Sequence, residues 1–101
     1  MIDTICKHLE DLKGEDIVTI DVAGKSSITD TLIIVSGRSI IHNRTLARSL
    51  INGEVDIQIT YQEGMDTYEW IVLATDTIMI HIMTPEARSY YHLEDLWDTE
   101  I

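Results

Sequence analysis

The chain has little cysteine, proline, phenylalanine or basic charge, and it has no long hydrophobic run. Its 101 residues include one cysteine, one proline and no phenylalanine. The single cysteine, Cys6, forms no internal disulfide, which suits a reducing compartment. No apolar stretch approaches the roughly 20 residues that a membrane helix needs, and the N-terminus lacks the basic start and apolar middle of a signal peptide. We therefore expect a cytoplasmic protein with no membrane partner.

Positive charge is scarce, because 18 acidic side chains outnumber 7 basic ones and give a formal net charge of -11. This charge disfavours binding to nucleic acid or anionic lipid, since both are polyanions, and it favours a basic protein partner. In most proteins of such composition, however, the acidic residues only keep the protein soluble and do not indicate a basic partner. Hydrophobic residues make up 45% of the chain, and a chain of this length is expected to form one small domain, residues 1–101.

Hydrophobic periodicity divides the chain into three helices and five strands. The predicted helices span residues 2–12, 42–50 and 85–91, and the predicted strands span residues 17–22, 32–35, 55–61, 68–74 and 78–83. Gly14 is predicted to end the first helix, Ser39 to cap the second, and Thr84 to cap the third. The order α-β-β-α-β-β-β-α predicts an α/β (α+β) domain around one mixed sheet.

Two local patterns favour an enzyme only weakly. The turn Ser36-Gly37 joins a strand to a helix, and free amide groups at such a turn can bind phosphate. Glu54 and Asp56 lie two residues apart on a predicted strand, a spacing that Mg²⁺ sites use. However, the turn has few glycines for a phosphate loop, and the strand pattern places Val55 and Ile57 inward and the two carboxylates in solvent. No metal or cofactor is expected.

The histidines and tryptophans show no catalytic grouping. The four histidines lack metal-ligand spacing, and none has a nucleophile partner visible in the sequence. His42 is predicted to orient the turn before it, and His81 to be a structural residue hydrogen-bonded under a helix. Trp70 lies in a strand, where a core residue and a binding hot spot are equally favoured. Trp97 is predicted to hold the C-terminal segment against the domain.

Four sequence blocks occur in a fixed order between Leu12 and Trp97. They are Asp16-Ile17-Val18 with Asp21-Val22 and Lys25-Ser26-Ser27-Ile28-Thr29-Asp30; Ile33-Ile34-Val35-Ser36-Gly37-Arg38-Ser39 with His42; Glu63-Gly64 with Trp70-Ile71-Val72; and Ile80-His81-Ile82 with Arg88, Tyr91, Leu93-Glu94 and Leu96-Trp97. In this order and spacing they resemble the ribosomal silencing factor family, also called Iojap-like proteins. Thr31, Ala74, Asp76 and the short segment 51–62 depart from the family pattern, which can weaken or redirect partner binding.

The resemblance implies a nucleotidyltransferase-like fold, a mixed five-stranded sheet flanked by helices, without the catalytic carboxylates. It implies a translational repressor that binds the large ribosomal subunit through ribosomal protein L-fourteen. In that position the protein sterically blocks association with the small subunit, especially when nutrients are limiting. The resemblance leaves a homodimer open and implies no direct sequence-specific contact with nucleic acid. The alternative is a degenerate nucleotidyltransferase-like enzyme that binds nucleotide at the Ser36-Gly37 turn.

A repressor of this kind predicts a set of partner-binding residues. They are Trp70, Ile71, Asp30, Ser36 and Glu63. Trp70 with Ile71 is the expected apolar anchor, and Glu63 is expected to meet basic side chains. His81 and Arg88 are expected to hold the fold together. An acidic domain suits a basic ribosomal protein because complementary charge speeds their encounter.

Overall fold

The computed structural model describes the backbone of residues 1–98 and the side chains of residues 1–96. The helices are α1 (Ile2–Asp11), α2 (Ile40–Ile51), α3 (Pro85–Tyr91) and α4 (Leu93–Asp98), and the strands are β1 (Glu15–Asp21), β2 (Thr31–Ser36), β3 (Tyr61–Glu63), β4 (Trp70–Ala74) and β5 (Ile78–Met83). The strand order is β1-β2-β5-β4-β3. Only β2 and β5 pair in parallel; the other neighbours are antiparallel. The predicted mixed five-stranded sheet is confirmed.

The predicted strand over residues 55–61 was wrong. Val55 is buried and Ile57 and Ile59 are half-buried, so the predicted alternation of burial holds. The backbone nevertheless joins the sheet only at Tyr61, and β3 continues to Glu63, two residues beyond the predicted end of the strand. The two-residue period of hydrophobic residues therefore predicted which side chains face the core, but it did not predict whether the backbone pairs with another strand.

The end of α1 shows why residue 14 is a glycine. Lys13 has a φ of 71° and takes the left-handed conformation, while the Gly14 amide donates to the carbonyl of Leu9 at 2.8 Å. A Cβ atom on Gly14 would lie 2.7 Å from the Val35 side chain. Gly14 thus follows the end of the helix, as predicted, but it is required by close packing and not by its own φ.

The main core lies between the sheet and helices α1 and α2. Its fully buried side chains include Ile5, Leu9, Ile33, Val35, Leu46, Leu50, Ile71, Leu73, Ile80 and Ile82. Each such side chain contributes about 1.5–3 kcal/mol through burial. Because successive strand residues face opposite sides, this core fixes Trp70, Val72, Met79 and His81 on the other face of the sheet.

Helices α3 and α4 cover only one end of that second face. Leu93 packs there with Ile34 and Met83. Arg88 connects the two short helices to the sheet, because its Nε donates to Glu94 at 2.8 Å and its Nη1 donates to the Ser36 hydroxyl at 3.1 Å. The rest of the second face is open, which leaves room for the candidate site.

Helix α4 was not predicted, because the last predicted helix ends at residue 91 and no secondary structure was predicted for the C-terminal segment. The side chain of Trp97, predicted to hold this segment in place, lies outside the residues whose side chains the structure describes. Within residues 1–98, no helix has the length and apolar character that crossing a bilayer requires.

Candidate functional site

The open part of the second sheet face forms a groove of about 590 Å³. Strands β4 and β5 provide its floor, where Val72, Met79 and His81 lie side by side. Ile28 and Tyr61 form walls and are 74% and 50% exposed. An apolar depression with exposed large side chains is typical of a surface that binds a partner.

The rim of the groove is acidic. Glu63 and Asp76 both line it, and no basic residue is among the described residues that do. Asp30 is exposed. Its backbone amide donates to the carbonyl of Thr77 at 3.0 Å, which places Asp30 next to Asp76 on the same rim. A hydrogen bond to Glu63 raises the pKa of Tyr61. An apolar floor with a negative rim is complementary to a basic protein surface.

Trp70 lies between the groove and the end of α3. Its Nε1 donates to Nδ1 of His81 at 2.9 Å, and its ring centroid is 4.7 Å from that of Tyr91. Its side chain is half-buried and packs against the smaller core cluster. Trp70 is therefore neither a fully enclosed core residue nor a freely projecting anchor, but a bridge between a groove residue and a helix.

His81 is held as a neutral side chain. Because Nδ1 accepts the indole proton, the imidazole proton must be on Nε2. Burial lowers the pKa of His81 from 6.5 to about 4, as expected where a charged form is poorly solvated. The prediction of a structural, hydrogen-bonded histidine is confirmed, although the residue lies on the groove floor and not under α1 or α2.

Replacing His81 with asparagine is expected to make stability less dependent on pH. In the unfolded chain His81 takes up a proton near pH 6.5, whereas in the folded chain it does so only near pH 4. Its contribution is therefore complete above pH 6.5 and is lost as the pH falls toward 4. We expect the unfolding free energy to drop by about 2 kcal/mol between about pH 6.5 and about pH 5, and by less in His81→Asn.

Urea unfolding at the two pH values measures this difference. Asparagine keeps an oxygen that can accept the Trp70 indole proton but does not titrate. His92→Asn is the matched control, because His92 is exposed. An equally steep loss of stability in His81→Asn would mean that another group carries the pH dependence.

The predicted contact residues occupy different environments. Glu63 lines the groove and Asp30 lies beside its rim. The prediction that Ile71 is a surface anchor was wrong, because its side chain is fully buried on the side of the sheet that α1 and α2 cover. Ser36 is 3% exposed and its hydroxyl accepts from Arg88, so the structure gives it a packing role and not a surface position.

Sequence reasoning missed most of the groove. Val72 could have been found, since strand alternation places it, and not Ile71, on the same face as Trp70. Met79 follows in the same way from the alternation of β5. Ile28 and Tyr61 could not have been found, because only the pairing of distant strands brings the two walls together.

The Ser36-Gly37 turn, which was considered only as a weak phosphate-binding candidate, has its backbone amides bonded to side chains of the protein. The Gly37 amide donates to Oδ1 of Asn43 at 3.0 Å, and the Arg38 amide donates to Nδ1 of His42 at 2.9 Å. His42 thus orients the turn, as predicted. Ser39 accepts from the His42 amide and caps α2. Two of the donors that a phosphate would need are engaged within the protein.

One serine and histidine pair resembles a nucleophile and base but is not arranged as one. Nε2 of His8 lies 2.9 Å from the Ser49 hydroxyl, which itself donates to the carbonyl of Leu46 at 2.7 Å. The hydroxyl therefore accepts from His8, and Ser49 is 4% exposed. Glu54 approaches the same nitrogen at 4.0 Å and does not orient the ring through the other one. In an activated serine, the hydroxyl instead donates its proton to the histidine.

No described group of three or more histidine, cysteine or carboxylate side chains is placed to hold a metal ion. Glu54 and Asp56 are exposed, as predicted for a solvated face. Burial, followed by the charges of Asp3 and Glu10, raises the pKa of the Cys6 thiol and keeps it protonated. The described geometry thus favours a binding surface over a reaction centre.

Comparison with known proteins decides the family. The family model described as "Ribosomal silencing factor during starvation" matches residues 1–100. The chain belongs to this family. The resemblance found in the sequence blocks is confirmed, and membership supports a ribosome-associated silencing role, which is not an enzymatic one.

Relatives in the family cover most of the chain. Ribosomal silencing factor RsfS of Haemophilus influenzae is 39% identical over 99 residues, which is 96% of this chain and 97% of that protein. RsfS of Bacillus subtilis is 32% identical over 90 residues, covering 87% of this chain and 76% of that protein. The mouse protein named "Mitochondrial assembly of ribosomal large subunit protein 1" is 30% identical, and the match covers 44% of it.

Solved structures share the fold. A crystal structure of a Chromobacterium violaceum protein has a TM-score of 0.88 and 29% identity, covering 99% of this chain and 85% of that one. A Bacillus halodurans structure has a TM-score of 0.82 and 26% identity, covering 95% and 91%. The mixed sheet with its helices is therefore an architecture found in crystals.

Proposed function

We propose that residues 1–101 act as one cytoplasmic translational repressor domain that binds the large ribosomal subunit through ribosomal protein L-fourteen and blocks joining of the small subunit. Family membership supports a role at the ribosome. The observation that carries the proposal is the apolar groove with an acidic rim, because a basic protein surface is the partner that this chemistry fits.

Silencing by occupancy requires affinity and bulk, and it requires no reaction. The domain measures 37 × 30 × 23 Å, so a bound copy would fill the space that a second subunit must enter. The groove floor would supply affinity through apolar burial, at roughly 25 cal/mol per Å². The rim carboxylates and the net charge of -11 would raise the rate of encounter with a basic partner.

Ile28→Lys is expected to weaken binding to purified large subunits at least tenfold and to abolish the block on subunit joining. The new cation would remove apolar surface and repel a basic partner, at an energetic cost of about 1.4 kcal/mol or more. Ile28 is 74% exposed, so the change should leave folding intact. Sucrose-gradient sedimentation of the two subunits with each variant measures both effects.

Ile41→Lys is the matched control. Ile41 is 73% exposed and lies on α2, which covers the opposite face of the sheet. The two variants carry the same substitution at nearly equal exposure, and thermal unfolding should confirm that both are folded. Equal binding by both variants would argue against the groove as the docking surface. Free joining of subunits in the presence of the unaltered protein would reject the repressor function itself.

A further inference from the structure

A second exposed surface lies beside the outer side of α3. Ile40, Tyr90, Tyr91, Glu69 and Glu86 are among the residues that line it, and we call this surface the tyrosine patch. Tyr90 is 79% exposed, Tyr91 is 52% exposed and Ile40 is 47% exposed. On an ordinary protein surface, exposed apolar side chains are scattered singly, whereas here three large side chains are exposed next to one another.

The two tyrosines are held in place before any partner arrives. Tyr90 and Tyr91 form an edge-to-face pair with ring centroids 4.9 Å apart and an interplanar angle of 88°. Trp70 supports Tyr91 from the sheet, with centroids 4.7 Å apart. His92 ends α3 in the left-handed conformation, with a φ of 50°. Aromatic side chains fixed in this way lose little conformational entropy on binding.

The charges of the patch select a cation. Glu69 and Glu86 are both exposed and line it. Arg38 is the only basic side chain among the described residues that line the patch, and it pairs with Glu15 at 3.3 Å. A guanidinium fits this combination, because it stacks on an aromatic ring and pairs with a carboxylate through two parallel hydrogen bonds.

We propose that the tyrosine patch is a second docking surface, which receives an arginine-bearing, otherwise apolar segment of a protein on the large ribosomal subunit. This inference rests on the proposed function, since it takes the large subunit as the assembly that meets both surfaces. Trp70 connects them, because it donates a hydrogen bond to His81 in the groove and its ring contacts that of Tyr91 in the patch, with the ring planes tilted by 47°. A partner seated in the groove and extending past α3 reaches the tyrosines.

Tyr90→Ala is expected to weaken binding of the full chain to purified large subunits about fivefold, whereas Tyr90→Phe retains the ring and should bind normally. Leu96→Ala is the control for loss of an exposed apolar side chain, since Leu96 is 70% exposed and lines neither surface.

Glu86→Gln should weaken binding about threefold and make it less sensitive to salt. Glu10→Gln, an exposed position on α1, should not. Equilibrium titration of labelled protein at two salt concentrations gives these values.

The outcomes separate this inference from the proposed function. Weak binding by Ile28→Lys together with normal binding by Tyr90→Ala and Glu86→Gln would overturn the tyrosine patch and leave the groove standing. Failure of the unaltered protein to bind large subunits would overturn both. A concentration-dependent dimer that Tyr90→Ala converts to a monomer would show that a second copy of the chain, and not a ribosomal segment, covers the patch.

Discussion

Gly64→Ala is expected to lower the unfolding free energy by about 4 kcal/mol, although it adds one methyl group. Gly64 has a φ of +83°, and left-handed backbone costs about 1–2 kcal/mol for an L-residue. A Cβ atom there would also collide with the carbonyl oxygen of Trp70. That oxygen cannot easily withdraw, since Trp70 begins β4 and pairs with Met83. Forced overpacking adds about 1–3 kcal/mol.

Gly53→Ala separates the two causes. Gly53 has a φ of +88°, but a Cβ atom there would meet nothing within 4 Å. Its substitution should therefore cost about 1–2 kcal/mol, the conformational part alone. Urea unfolding followed by circular dichroism measures both variants. Equal losses at the two glycines would mean that the contact between residue 64 and Trp70 does not constrain the fold.

The position of Gly64 also matters for the site. It follows Glu63 on the groove rim and precedes the turn that returns the chain to Trp70. The Tyr68 amide donates to the Gly64 carbonyl at 3.0 Å, and Tyr68 itself has a φ of 62°. Positive φ at a bulky residue is rare and requires support from its surroundings. This compact turn sets where the groove and the tyrosine patch meet.

The parts of the fold that depend on local physics were predictable from the sequence. Ser39 and Thr84 accept hydrogen bonds from the first turns of their helices, as the capping residues predicted. Strands β4 and β5 are joined by residues 75–77, and so short a connection is enough to predict the antiparallel pairing that they show. In these cases residues within four positions of each other decide the geometry.

The parts that depend on distant residues were not predictable. The misplacement of Ile71 has a different cause, because strand alternation alone turns it to the face opposite Trp70. The groove depends on the parallel pairing of β2 with β5, which carries the loop containing Ile28 toward β4. The half-buried state of Trp70 depends on Tyr91 and His81, whose approach no spacing in the sequence reports.

Asn43→Ala is expected to lower the unfolding free energy by about 3 kcal/mol. Asn43 is fully buried on α2. Its Oδ1 accepts from the Gly37 amide at 3.0 Å and its Nδ2 donates to the Tyr68 carbonyl at 2.8 Å. Alanine would leave both groups without their partner, at about 1–3 kcal/mol each. The same change releases the turn before Trp70, so ribosome binding should weaken even in the molecules that remain folded.

Asn52→Ala is the matched control for stability, since Asn52 is exposed at the C-terminal end of α2 and should cost less than about 1 kcal/mol. Asn43→Asp separates the two hydrogen bonds, because the carboxylate keeps an acceptor for Gly37 and loses the donor to Tyr68. If the bond to Tyr68 holds the turn in place, Asn43→Asp should bind large subunits as poorly as Asn43→Ala under conditions where both are folded. Full binding by Asn43→Asp would instead limit the role of Asn43 to supporting the Gly37 turn at the start of α2.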